Sequence, residues 1–238
     1  MMKKSRIFSV CVIVFLIVVI GFFYVSFKSS MEGTPDGKAK ARSEFEHYLS
    51  KNFSQNIAID KVEYNWKGDN YWADVHVKGN EKLHFVLLYN GKEVSDDYVV
   101  NSWSHDISNK LGNKVATIFK NKAALEASVF ESVGVFPDYE GDNVPDYFAL
   151  QKESLSRTKE LSQLTYLEVY FTYNYKKNDI ENQKLYKLIG LIKKEIPYAD
   201  IELKYKSTWF TLEHNDFKKI SSYKEVPKYF KDNSDLLK

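Results

Sequence analysis

Cysteine is almost missing from this 238-residue chain: the single one, Cys11, lies inside an N-terminal apolar run. Everything after that run therefore has neither a disulfide nor a thiol nucleophile. Missing too are G-x-S-x-G, H-E-x-x-H, a Gly-rich phosphate loop and any metal-type Cys/His spacing. Those absences remove the motif-borne hydrolase, metalloprotease and nucleotide-binding readings, and no cofactor is expected. Cations are not in excess: 34 Lys and Arg stand against 32 Asp and Glu, and setting aside Lys3, Lys4 and Arg6 leaves 31 against 32. No basic block remains for nucleic acid or anionic lipid, so neither partner is expected of the bulk of the chain. With 44% of residues hydrophobic and 16% aromatic, wholesale disorder is excluded.

Charge is also absent from Ile7 to Phe27. Those 21 positions make a helix of about 31 Å, against a bilayer hydrocarbon core of about 30 Å. Lys3, Lys4 and Arg6 precede the run and only Lys28 follows closely, a bias that places the N-terminus in the cytoplasm and the bulk of the chain outside. The run exceeds the apolar core of a secretory signal peptide, and its end, "FFYVSFKSS", has bulky residues where a cleavage site needs small ones. Cys11, preceded by Phe8-Ser9-Val10, offers no lipobox. The expectation is an uncleaved single-pass anchor. A disulfide-free exported protein rich in Lys, Asn, Tyr and Phe suits a Gram-positive bacterium with an A+T-rich genome.

The expected fold is α+β: the transmembrane helix, then a helix–antiparallel meander–helix unit and a second α+β unit. The boundaries read as residues 1–29 for the tip and anchor, 30–37 for a linker, 38–122 for the first domain and 123–238 for the second. Helical spacing of Ala41, Phe45, Tyr48 and Leu49 gives way to a period of two. The strands "KVEYNW" and "YWADVHV" pair Trp66 with Tyr71, Tyr64 with Ala73 and Val62 with Val75. Across Gly79-Asn80-Glu81 the next pairing sets Val77 against Leu83, Val75 against Phe85, Ala73 against Leu87 and Tyr71 against Tyr89. After the Asn90-Gly91 turn, a helix capped by Ser95 or Asp96 carries the stripe Val100, Trp103, Ile107, Leu111, Val115 and Ile118.

In the second unit a strand runs from Leu125 through Val135, and a helix starts near Asn143 and Pro145 and continues to about Leu161. A strand with Leu167, Val169 and Phe171 inward follows. The helix "NDIENQKLYKLIGLIKKEIP", capped by Asp179 and stopped by Pro197, presents Leu185, Leu188, Ile189, Ile192 and Ile196 as one stripe. One or two further strands lie in "DIELKYKSTWFTLEH", and the tail "KEVPKYFKDNSDLLK" reads as loosely attached.

The stretches "VEYNWKGDNYWADVHV" and "HFVLLYNGKEVSDDY", behind an anchor and an amphipathic helix, resemble the YfjL-like family of uncharacterised membrane-anchored proteins of Gram-positive bacteria. The positions that carry the resemblance are Tyr64, Tyr71, Ala73, Val75, Phe85, Asn90, Gly91, Asp97 and Tyr98. They are core and turn residues, so the resemblance implies a fold over about 60 residues and brings no catalytic residue with it.

One constellation remains. The pairing above sets His76 opposite His84 on the face away from the core, with Asp74 next along. They read as two partly exposed sheet histidines, or as two imidazoles close enough to reach one Zn²⁺ or Cu²⁺ ion that would need further ligands. Trp72 opposite Leu88 and Asp74 opposite Val86 are too apolar for a solvated face. Trp72, Asp74 and Leu88 are therefore read as a covered seam within the chain, or as a binding surface along its open edge. The functional expectation is a membrane-anchored, extracytoplasmic, non-enzymatic binding, sensing or immunity-type module with a protein partner at the envelope. The alternative is a cell-envelope hydrolase whose residues converge from both units.

Overall fold

Helix α1 (Met2–Glu32) and helix α2 (Pro35–Asn52) are interrupted by Gly33 and Thr34 alone. The computed structural model describes residues 2–130, 141–152 and 155–233. The stretch expected to be a linker, 30–37, is largely helical because its residues are helix-ending and helix-starting ones. Gly33 takes φ +73 where an added Cβ would lie 2.8 Å from Tyr64 Cβ. Thr34 then caps α2, its hydroxyl accepting the Gly37 N–H at 3.0 Å, with Pro35 in the first turn. By length and composition α1 is long and apolar enough to cross a membrane. From Val14 to Phe27 most of its large side chains are exposed, Phe22 by 70%.

The chain divides into two units at Asp97/Tyr98. In the first, strands β1 (Ile57–Asn65), β2 (Asn70–Val77), β3 (Asn80–Tyr89) and β4 (Val94–Asp96) form an antiparallel sheet in that order. Alternation buries Ala73, Val75, Val77, Leu83, Phe85 and Leu87, together with Ala41, Phe45 and Leu49 of α2. Phe53, which ends α2, stacks on Phe85 with centroids 5.3 Å apart.

The β2–β3 register is the expected one for Tyr71/Tyr89, Ala73/Leu87 and Val75/Phe85, but Val77 faces Asn80 rather than Leu83 because the register shifts after His76. The β1–β2 register is displaced by two residues: Tyr64 faces Tyr71 and Val62 faces Ala73. The cause is Asn65, whose side-chain oxygen accepts the N–H groups of Lys67 at 3.2 Å and Gly68 at 3.4 Å. The turn is therefore Trp66–Asp69, with Asp69 at φ +48, and Trp66 leaves the strand. A shift of two keeps every remaining side chain on its face.

The second unit opens with helix α3 (Tyr98–Ile118), followed by β5 (Ala123–Val129), α4 (Tyr147–Gln151), α5 (Leu155–Gln163) and β6 (Thr165–Phe171). Helix α6 (Asp179–Glu195), β7 (Asp200–Lys204), β8 (Trp209–Leu212), α7 (His214–Phe217) and β9 (Lys231–Asp232) complete it. Its sheet has the order β5-β6-β7-β8-β9, antiparallel except for β6–β7, which α6 connects as a parallel crossover.

Placing α3 in a first domain of 38–122 needs correction. Trp103, Ile107, Leu111 and Val115 share one core with Leu125, Val169, Leu188 and Ile192. The inner face of the first sheet is already occupied by α2, so the α3 stripe is buried on the second sheet instead. Ser104 and Ser108 hydroxyls fasten it there, accepting the N–H groups of Val129 at 2.8 Å and Ala127 at 2.9 Å. Ser95 and Asp96, read as its caps, are in β4.

Other boundaries moved for capping reasons. The helix expected over 143–161 is two helices, the first capped by Asp146, whose carboxylate accepts the Ala149 N–H at 2.8 Å. Asn178, not Asp179, caps α6 by accepting the Glu181 N–H at 2.9 Å. The extension of β5 to Val133 and Val135 lies outside the described residues. The tail is held as far as Asn233: Val226 is buried, Phe230 stacks on Phe210 at 4.7 Å, and β9 pairs with β8.

Candidate functional site

The outer face of the first sheet gathers the residues singled out in the sequence. Trp72 opposes Leu88, Asp74 opposes Val86 and His76 opposes His84. The two imidazole centroids are 5.5 Å apart, with planes inclined at 46°. A third donor comes from β1. Between Ile59, opposite Val75, and Lys61, opposite Asp74, Asp60 is an extra residue, a β-bulge. It brings the Asp60 carboxylate onto the histidine face, with Oδ2 2.8 Å from His76 Nδ1 and 3.9 Å from His84 Nδ1. Asp74 Oδ1 lies 3.9 Å from His84 Nδ1. One ligand atom from each of Asp60, His76 and His84 falls within 4.8 Å of the others.

Pairwise alternation did not find Asp60. A signal was present all the same: in "IAIDKVEYN" the apolar positions Ile57 and Ile59 give way to Val62 and Tyr64, a change of phase that one extra residue produces.

Beside the histidines, Lys61 Nζ sits 4.5 Å from the Trp72 ring centroid, which leaves Trp72 half-buried. Val86 and Leu88 remain 36% and 38% exposed.

A second feature lies at the start of β1. Helix α2 and the start of β1 border a groove of about 480 Å³, floored by Leu49, Phe53, Ile57 and Ile59 and rimmed by Arg42 and Glu46. These last two form an ion pair at 3.1 Å. Among the described residues β1 has a strand on one side only.

In the second unit Asp200 Oδ1 accepts the His214 backbone N–H at 2.8 Å and lies 2.7 Å from His214 Nδ1. A cavity of about 240 Å³ adjoins this pair, lined also by Tyr166 and Tyr198. The carboxyl held above its usual range is elsewhere, Asp106 on α3, where burial and then the charge of Asp146 raise it while His105 opposes. On α3 the Ser104 hydroxyl donates to the Val100 carbonyl at 2.6 Å, and His105 Nε2 lies 2.8 Å from the Asn109 side-chain nitrogen.

Comparison with known proteins bears on the first unit. Residues 3–98 match the family described as "YfjL-like, N-terminal domain", ending one residue past the boundary between the units. No curated protein matches the chain. Among solved structures it is similar to the crystal structure of a DUF5037 family protein from Ruminococcus gnavus, with 14% identity and a TM-score of 0.41, over 74% of this chain and 77% of that one.

Proposed function

We propose that this chain, a YfjL-like protein through residues 3–98, is a membrane-anchored module that works outside the membrane by binding a protein partner. The groove beside β1 carries this reading. An edge strand presents alternate backbone N–H and C=O groups with no neighbour, and an extended polypeptide satisfies them by adding as a further strand. Its alternate side chains would rest on Leu49, Phe53, Ile57 and Ile59, the apolar floor. The occupant is thus an extended segment of another envelope protein, and the bulge at Asp60 ends the stretch available for pairing. The uncharged run Ile7–Phe27 supports the anchor, and Lys3, Lys4 and Arg6 before it support an outward-facing domain.

Two measurements on the full chain in its own membrane test this. Protease added to wall-stripped cells should digest the part after residue 30 and spare an anchor fragment; a protected domain overturns the orientation. A photo-crosslinking residue at Ser50, in the groove, should capture a discrete protein that the same residue at exposed Lys92 does not. The Ile57 N–H faces the free edge, because the pair before it is bonded through the Lys78 N–H to the Asn56 carbonyl. Blocking that edge with Ile57→Pro, at the first residue of the strand, should therefore remove that adduct while membrane levels of the chain persist. An adduct that survives the block, or none from position 50, overturns the groove as the binding site.

A further inference from the structure

We propose that Asp60, His76 and His84 form a binding site for one borderline divalent transition cation, Zn²⁺ or Cu²⁺, with a coordination position left open to an outside donor. None of the three lines the groove beside β1, so the site stands whether or not a peptide binds there.

The donor set selects the class of ion. Two imidazoles and one carboxylate suit Zn, Cu, Ni or Fe, whereas Ca²⁺ and Mg²⁺ take oxygen donors throughout. Spacing agrees with a single ion. Tetrahedral ligands at about 2.0–2.1 Å from Zn²⁺ stand roughly 3.3 Å from one another. Asp60 Oδ2 lies 2.8 Å from His76 Nδ1 and 3.9 Å from His84 Nδ1, which brackets that separation. The two imidazole donors lie within 4.8 Å of each other, so closing of the side chains around one ion reaches it.

The local charge agrees as well. One oxygen of Asp60 faces two imidazoles, and Asp74 Oδ1 is 3.9 Å from the second. A dication among two neutral imidazoles and these two carboxylates leaves no net charge. Lys61, the adjacent cation, is engaged by the Trp72 ring at 4.5 Å and by Glu63 at 3.8 Å. It therefore does not occupy the carboxylates. The side chains of His84 and Asp60 are 51% and 38% exposed, so an ion can enter and a fourth donor can reach it.

All three donors stand on strands: the β2–β3 register sets His76 opposite His84, and Asp60 is the extra residue of the β1 bulge, so no flexible loop holds the site.

The test uses the full chain in detergent, prepared without a histidine tag and stripped with a chelator, then titrated calorimetrically with ZnCl₂ and with CuCl₂. One ion per chain is expected for at least one of the two metals. Asp60→Asn, His76→Ala and His84→Ala should each weaken it by at least about tenfold, the lower bound already seen for outer-shell changes. Asp216→Asn, on α7, should not. Because His84 is half-exposed, His84→Ala should keep the wild-type melting temperature without metal, which separates lost ligation from lost folding. Substitution with Co²⁺ provides a second readout, a visible ligand-field spectrum that the wild type develops and His84→Ala lacks. Absence of binding by the wild type, or binding that the three variants leave unchanged, overturns the site.

Discussion

Tyr205 lies flat on Phe171, with ring centroids 4.0 Å apart and planes within 5°, and its hydroxyl donates to Glu181 Oε1 at 2.9 Å. The Tyr173 hydroxyl donates to the same oxygen at 2.7 Å, and Lys184 Nζ is 3.6 Å from the other. Glu181 is only 3% exposed, and these partners satisfy its buried oxygens. Burial and the Glu181 charge push the Tyr205 hydroxyl far above its ordinary range, which keeps it a donor. Tyr205→Phe retains the stack and removes one hydrogen bond to a buried carboxylate. A loss of about 1–3 kcal/mol is expected, read as a lower urea midpoint at unchanged slope. An unchanged midpoint would mean that Tyr205 does not support that charge.

Glu195, at the end of α6, accepts a hydrogen bond from Lys114 of α3 at 2.8 Å, with Lys110 at 3.7 Å. The Lys114 bond, opposed by some burial and aided by the Lys110 charge, holds its carboxyl below the usual range. A carboxyl depressed by folding adds stability that is complete above its unfolded pKa of about 4.3 and is lost as pH falls through the folded value. Glu195→Gln should therefore lower the melting temperature at pH 7 and cease to matter in strong acid. Since Lys114 is half-exposed, about 0–1 kcal/mol is involved. Asp106 has the opposite sign. Its raised carboxyl stabilises the fold below the unfolded value and loses that contribution as pH rises, so Asp106→Asn should help at pH 7 and not at pH 3. A melting-temperature difference independent of pH would contradict both assignments.

Ile192 is fully buried in the core that also holds Leu188, Val169 and Phe171. Ile192→Ala should cost about 2–5 kcal/mol, the range for truncating a core aliphatic residue. An unchanged melting temperature would detach α6 from the sheet.

The sequence made these layers legible wherever a period ran uninterrupted. The α6 stripe and the β2–β3 alternation lead directly to the buried face and to His76 opposite His84. It was less informative where one side chain redirects the backbone. Asn65 moves a turn by one residue, Thr34 and Gly33 turn an apparent linker into a helix junction, and Asp60 adds a residue that no pairwise alternation contains. The α3 stripe was plain, but a stripe states only that a face is buried. Which sheet buries it depended on α2 having already filled the first one.

Trp66 distinguishes the two β1–β2 registers by experiment. In the pairing read from alternation it opposes Tyr71 on the core face, and truncation of a core aromatic costs about 3–5 kcal/mol. In the structure it is the first residue of the Asn65 turn, 50% exposed, with Lys67 Nζ 5.6 Å from its ring centroid. Trp66→Ala should then cost no more than about 1 kcal/mol, the scale of an exposed cation–π contact. Asn65→Ala, which removes the acceptor of the Lys67 N–H while the Gly68 N–H keeps the Asn65 carbonyl at 3.2 Å, should cost about 1 kcal/mol despite removing far fewer atoms. Urea midpoints of the two variants decide between the registers: a large loss at Trp66 with none at Asn65 would restore the pairing of Trp66 with Tyr71, and would move Asp60 away from His76.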